Sequence, residues 1–118
     1  MAAIDDWQVA VEVKLAELAR DKRTMTYLEM VDYAAIPSPH RIHHLTAFLE
    51  TLILRDVQLG QPIRAAFIVS KTDGLPADGF FDCLDAQKIT PKHNETRKAF
   101  YQRLIREFET IRPALPQV

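Results

Sequence analysis

"TYLEMVDYAAIPSPHRIHHLT", residues 26–46, contains the two helix starts on which the fold turns. Thr26 and Glu29 form a Thr-x-x-Glu capping box, which satisfies two orphan backbone donors reciprocally and opens a short apolar helix running to about Ala35. Pro37 disfavours helical geometry in the residue before it and ends that helix. Ser38 then offers an N-cap and Pro39 a preorganised first turn. A longer helix is predicted from there to about Gln58, where Gly60 stops it.

Upstream, "DDWQVAVEVKLAELARD" (5–21) begins with capping aspartates and sets Trp7, Val11, Leu15 and Leu18 at helical spacing. Downstream, "IRAAFIV" (63–69) is a short apolar run between Pro62 and a turn signal, and reads as a buried strand. "KTDGLPADGFF" follows, with Asp73-Gly74 at its turn, so the chain is expected to reverse into a short β-hairpin. Residues 80–89 fit a short helix as well as a strand end. A last helix is expected over roughly 92–111, with Phe100, Leu104, Phe108 and Ile111 in one stripe and Pro113 beyond it. The predicted fold is α+β and mostly α: a winged-helix-like core over about 24–82, with additional N- and C-terminal helices in a single domain spanning 1–118.

Composition agrees with a folded chain: of 118 residues, 47% are hydrophobic and 26% charged. No apolar run approaches the roughly 20 residues of a membrane helix, and "MAAIDDWQVA" lacks a signal-peptide pattern; the expectation is a cytoplasmic protein without a membrane partner. Cys83 is the only cysteine, which excludes an intrachain disulfide and a multi-cysteine zinc site; among aspartates it reads as structural. The net charge of −1 argues against nucleic-acid binding by bulk electrostatics. Its distribution is uneven, with four Lys/Arg against two Asp/Glu over 38–72 and seven against three over 88–118. A basic face forms if those two blocks meet.

On the third helix, Ile42, Leu45, Leu49, Leu52 and Ile53 gather on one side, and His40, His43, His44, Ala47, Thr51 and Arg55 on the other. His40 and His44 stand at i,i+4, the spacing of a helical zinc pair, but no glutamate follows the first and the nearest further histidine is His93. A general base needs a cleft and an orienting partner, which an open polar face does not imply. A solvated face and a nucleic-acid-reading face are the readings that remain; the latter gains from the outward-pointing helix N-terminus. No metal and no cofactor are expected.

"TYLEMVDYAAIPSPHRI" resembles the stretch of the O6-alkylguanine DNA alkyltransferases that passes through a Thr/Ser-Tyr motif and a proline turn into the recognition helix. On that resemblance Tyr27 matches the tyrosine that helps rotate the target nucleotide, and Arg41 the arginine that fills the vacated stack. The interval of 14 residues between them is also the family's own. "PHRI" is not that family's Pro-Cys-His-Arg-Val motif, since no cysteine precedes His40. Ser70-Lys71 in "FIVSKTDGLPADGFF" instead take roughly the place of its Cys-His pair, so alkyl transfer to cysteine is not implied. The cysteine-lacking alkyltransferase-like proteins, which bind damaged DNA without repairing it, are the nearer comparison, although their tryptophan is also missing. The resemblance spans about residues 24–82. The same loop also resembles a Val-Val-Ser-Lys-x-Thr-Gly-Leu-Pro pattern of an uncharacterised bacterial group, which implies no activity.

Ser70-Lys71 is a poor catalytic pair, because neighbouring residues in a strand point to opposite faces. Gly74, Pro76 and Gly79 serve turn geometry, without the spacing of a phosphate loop. Phe80 and Phe81 are candidates for base stacking at the wing. Arg97, Lys98, Arg103 and Arg106 alternate with Glu95, Glu107 and Glu109, as on a solvated helix. The expectation is a non-enzymatic DNA-binding protein whose contacts come from Tyr27, His40, Arg41, His43, His44, Arg55, Ser70, Lys71 and Phe80. The alternative is a protein-interaction module, docking a partner or a second copy through the third or last helix.

Overall fold

The computed structural model describes residues 6–110, as a mostly helical α+β fold with five helices and one two-stranded parallel sheet. In chain order these are α1 (Asp6–Asp21), β1 (Met25–Thr26), α2 (Tyr27–Tyr33), α3 (Arg41–Leu59), a 3₁₀ turn (Arg64–Phe67), β2 (Ile68–Val69), α4 (Asp78–Ala86) and α5 (Arg97–Thr110). None of the described helices is long and apolar enough to cross a membrane.

Helix α1 buries Val11, Leu15 and Leu18 and turns the Trp7 ring edge-on to Phe48 of α3. The capping box forms as the sequence requires: Glu29 N–H donates to Thr26 Oγ1 at 3.1 Å, and Thr26 N–H donates to the Glu29 carboxylate at 2.9 Å. Helix α3 begins later than the Ser38 cap predicts. The Ser38-Pro39 peptide is cis, and His40, left-handed at φ +62°, takes the N-cap position without a side-chain bond.

Helices α1 to α4 stop in the same way. A residue in the left-handed region follows each helix, and the next N–H reaches back five residues: Arg23 to Leu18 O, Ile36 to Val31 O, Gln61 to Asp56 O and Ile89 to Leu84 O. The left-handed residues are Lys22, Ala35, Gly60 and Lys88, so only one of the four is the glycine that this terminator favours. In α2 and α4 the closing pairs, Val31 with Ile36 and Leu84 with Ile89, belong to the core, which adds the hydrophobic contact that accompanies this motif.

Residues 63–69 differ most from expectation. Ala65, Ala66 and Phe67 are buried, but the backbone from Arg64 to Phe67 is a 3₁₀ turn that packs against α1, α3 and α5. An apolar run without alternation does not distinguish a buried turn from a strand. What bends it is local: Asp56 of α3 accepts the Arg64 N–H at 3.0 Å, and Tyr101 of α5 donates its hydroxyl to Ala66 O at 2.9 Å. Ile68 and Val69 form the strand, and they pair in parallel with Met25 and Thr26.

The expected hairpin is therefore not formed. Residues 70–77 fold onto themselves, with Ser70 N–H donating to Leu75 O, Gly74 N–H to Ser70 O, and Leu75 N–H to the Asp73 carboxylate. Gly74 supplies the left-handed residue at φ +72°. The chain then enters α4, which buries Phe80, Phe81 and Leu84. Helix α5 starts at Arg97, after Thr96 accepts the Ala99 N–H at 3.0 Å, and buries Phe100, Tyr101 and Leu104. Residues 92–95, expected to be helical, form a turn with Asn94 left-handed. Phe108 meets Phe67 edge to face at 4.8 Å. Ile111 and Pro113 lie outside the described residues.

Candidate nucleic-acid interface

The fold brings three of the sequence candidates to one place. Tyr27, Ser70 and Lys71 line a cleft of about 520 Å³, together with Thr26, Leu28, Glu29 and Ile42. The parallel strand pair explains the meeting: β1 delivers Tyr27 and β2 delivers Ser70 to the same end of the sheet. Leu28 and Ile42 are 62% and 42% exposed, so the cleft carries apolar surface as well as donors. The amphipathic assignment of Ile42 to the core fails because the first turn of α3 projects to the cleft.

Tyr27 is half-buried. Its hydroxyl accepts the Ala77 N–H at 2.9 Å, which ties the end of the 70–77 loop to α2 across 50 positions of sequence. Burial raises its phenol above the ordinary value, against the opposing effect of the Ala77 bond. The phenol stays protonated at neutral pH, and its hydrogen has no acceptor among the described residues. Tyr27 also lines a smaller pocket of about 170 Å³ on its other side, between α3 and α4, with Thr46, Glu50, Gly79 and Phe80.

Arg41 has other work. Its Nε donates to Ile36 O at 2.7 Å, one terminal nitrogen to Val31 O at 2.8 Å, and the other to the Asp32 carboxylate at 3.1 Å. The guanidinium thus closes the C-terminal end of α2, where unpaired carbonyls and the helix dipole both favour a cation. It is held to its own fold on three sides, in place of the free reach that the resemblance implies. Phe80 is likewise committed: it is 6% exposed and packs edge-on to Phe81 at 5.0 Å, because residues 78–86 are helix and not wing.

His40, His43 and His44 are exposed at the start of α3, with the rings of His43 and His44 6.3 Å apart. Around the helix from Ile42, His43 and His44 border an open hollow that also includes Trp7, Thr51 and Arg55. Arg55 lies at its far end, 3.7 Å from Glu12. Among the described residues, Lys71 and the three imidazoles join no hydrogen bond or ion pair, whereas Arg41, Arg64, Arg97 and Arg103 are all paired. Ser70 is partly engaged, its Oγ accepting Thr72 N–H at 3.2 Å.

Other chemistry finds less support. No group of three His, Cys, Asp or Glu among the described residues is disposed to hold a metal. Cys83 sits part-buried on α4, where burial and the Glu50 carboxylate push its thiol up, the reverse of what activates a nucleophile. Leu28, Thr72 and the Tyr27 pocket escaped sequence reasoning, since the cleft comes from parallel pairing of residues 43 apart in sequence and the pocket from the packing of α4 on α3. No family model, curated protein or solved structure matches the chain.

Proposed function

We propose that the protein binds double-stranded DNA without altering it, as a winged-helix-like module in which the 70–77 loop takes the place of a hairpin wing. The observation that carries this reading is the set of unpaired donors, among the described residues, that flank the start of α3 on its two sides: Lys71 and the Tyr27 hydroxyl at the Ile42 cleft, and His40, His43 and His44 around the helix from it. A fold that pairs most of its described arginines internally leaves Lys71 and the three imidazoles to solvent and the Tyr27 hydroxyl hydrogen without an acceptor among the described residues. Lys71, Tyr27 and Ser70 suit phosphate oxygens, and the imidazoles suit phosphate or base edges. Arg41 contributes by fixing the angle between α2 and α3, not by entering the duplex.

Damage or structure recognition, as in alkyltransferase-like proteins, is the finer form of this proposal. The pocket behind Tyr27 would receive an extrahelical base, with the Glu50 carboxylate at its edge as an acceptor for an exocyclic amino group. Binding measured over a salt series, with plain and O6-alkylguanine duplexes, tests both levels. The expected result is affinity that falls with salt at a shallow slope, about one unit shallower still in Lys71→Ala. Tighter binding of the modified duplex supports the finer form. Equal binding removes it, and absence of binding to either duplex at low salt removes the proposal.

A further inference from the structure

The exposed positions of α1 from its first residue to Arg20 are Asp6, Val9, Val13, Ala16 and Arg20, at successive intervals of three, four, three and four. That is the spacing of a coiled-coil seam. It lies opposite the face that α1 already buries, so the helix has two apolar sides, of which the described residues cover one. Val9 and Val13 are 50% and 52% exposed, on a surface where a solvated helix would carry polar side chains.

We infer that this stripe is the contact between two copies of the chain, with the α1 helices packed antiparallel across a two-fold axis at Val13. The charges of the stripe are self-complementary in that orientation. Asp6 and Arg20 each lie seven positions from Val13, so the two-fold sets Asp6 of one copy against Arg20 of the other at both ends. Val13 meets its own symmetry mate, Val9 falls within one residue of the level of Ala16 on the other copy, and the small alanine lets the helices approach. The Arg20 guanidinium is 71% exposed and, among the described residues, pairs only with the neighbouring Asp21. A parallel pair would instead oppose aspartate to aspartate and arginine to arginine, which repels.

The seam is one 16-residue helix long. It falls below the roughly 1,200 Å² of standard stable interfaces, and the dimer is accordingly weak and concentration-dependent. It uses none of the groups assigned to DNA, and stands whether or not DNA is bound.

Sedimentation velocity over a wide concentration range tests it. Wild-type protein shifts from monomer to dimer as concentration rises, and Val13→Glu weakens the dimer at least about tenfold. Val13 is exposed, so the variant keeps the wild-type circular dichroism and melting temperature. Asp6→Arg and Arg20→Asp each weaken association alone; the double variant restores it, and so does mixing the two single variants. A chain that stays monomeric throughout overturns the inference, leaving the stripe to another partner. So does association that survives Val13→Glu, or a double variant no tighter than the single ones.

Discussion

Asp56, wholly buried in α3, holds Arg64 by both backbone and side chain: its carboxylate accepts the Arg64 N–H at 3.0 Å and lies 2.8 Å from a terminal guanidinium nitrogen. One buried acid thereby sets both the backbone path after Pro62 and the position of the arginine, whose other terminal nitrogen reaches Glu12 of α1 at 3.2 Å.

Removing the cation leaves that carboxylate buried and uncompensated. Arg64→Met is expected to destabilise the fold by about 3–5 kcal/mol. Glu12→Gln, which alters a part-exposed partner, costs less than about 1 kcal/mol. Chemical denaturation of the two variants checks the contrast, and comparable losses would show that Asp56 is not the anchoring group.

Arg41 is expected to behave as a structural residue. Arg41→Ala loses charge-assisted bonds to two carbonyls, worth about 1.5–3 kcal/mol and toward the lower figure for a side chain one-third exposed. Arg41→Lys recovers little of this, since an ammonium lacks the planar fork. Lys71→Ala is expected to leave the melting temperature unchanged and to weaken DNA binding, so melting and binding assays together separate the two roles.

Three helices end on a left-handed residue that carries a Cβ, a conformation that strains most L-residues by about 1–2 kcal/mol. Ala35→Gly and Lys88→Gly are therefore expected to stabilise the protein by up to about 1 kcal/mol each, the relieved strain exceeding the added chain entropy of glycine. Gly60→Ala has open space around it but the wrong φ, and is expected to destabilise by a similar amount. Melting temperatures of the three variants, moving in these opposite directions, check the assignment.

Tyr27→Phe deletes the acceptor of the Ala77 N–H while keeping the ring. The expected loss is about 1 kcal/mol in stability, with faster hydrogen exchange at the Ala77 amide and weaker DNA binding. Exchange at Ala77 that is unchanged by the substitution would mean that the hydroxyl does not hold the loop.

Glu95 is gripped by Arg103 through two bonds, of 2.7 and 3.0 Å, and this guanidinium holds its carboxyl down to about 2, with help from the Lys92 N–H. A carboxyl that titrates lower in the folded chain than in the unfolded one stabilises fully above the ordinary value of 4.5, and progressively less as pH falls toward about 2. Glu95→Gln is therefore expected to melt below wild type at neutral pH, with the two melting temperatures converging as the solution is taken to pH 2.

Much of the helical framework was legible because its signals are local. Trp7, Val11, Leu15 and Leu18 mark the buried face of α1; Thr26 and Glu29 open α2; Gly60 closes α3; Phe100 and Leu104 mark α5. What escaped depends on partners distant in sequence. Residues 64–67 turn because of Asp56 and Tyr101, and Arg41 is occupied because three acceptors at 31, 32 and 36 converge on it. Phe80 turned from an exposed wing to the wall of the pocket behind Tyr27 because residues 78–86 fold as helix, a choice that their composition left open. Of the nine candidate contacts, Tyr27, Ser70 and Lys71 came together through a parallel strand pair that no local pattern announces. The valines of the α1 stripe were visible in the sequence, but only the exposure of Val9 and Val13 separates them from a second core-facing row.

The buried turn at Arg64–Phe67 has a consequence for how the protein is made. Helix α1 packs chiefly against that turn, which leaves the ribosome about fifty residues later than α1 itself. At about 5–20 residues per second, Val11, Leu15 and Leu18 go without their seat for several seconds of synthesis. The last helix, α5, meets a finished one as it emerges. The nascent chain thus exposes the buried face of α1 to chaperones and to mispairing in the interval while α3 emerges.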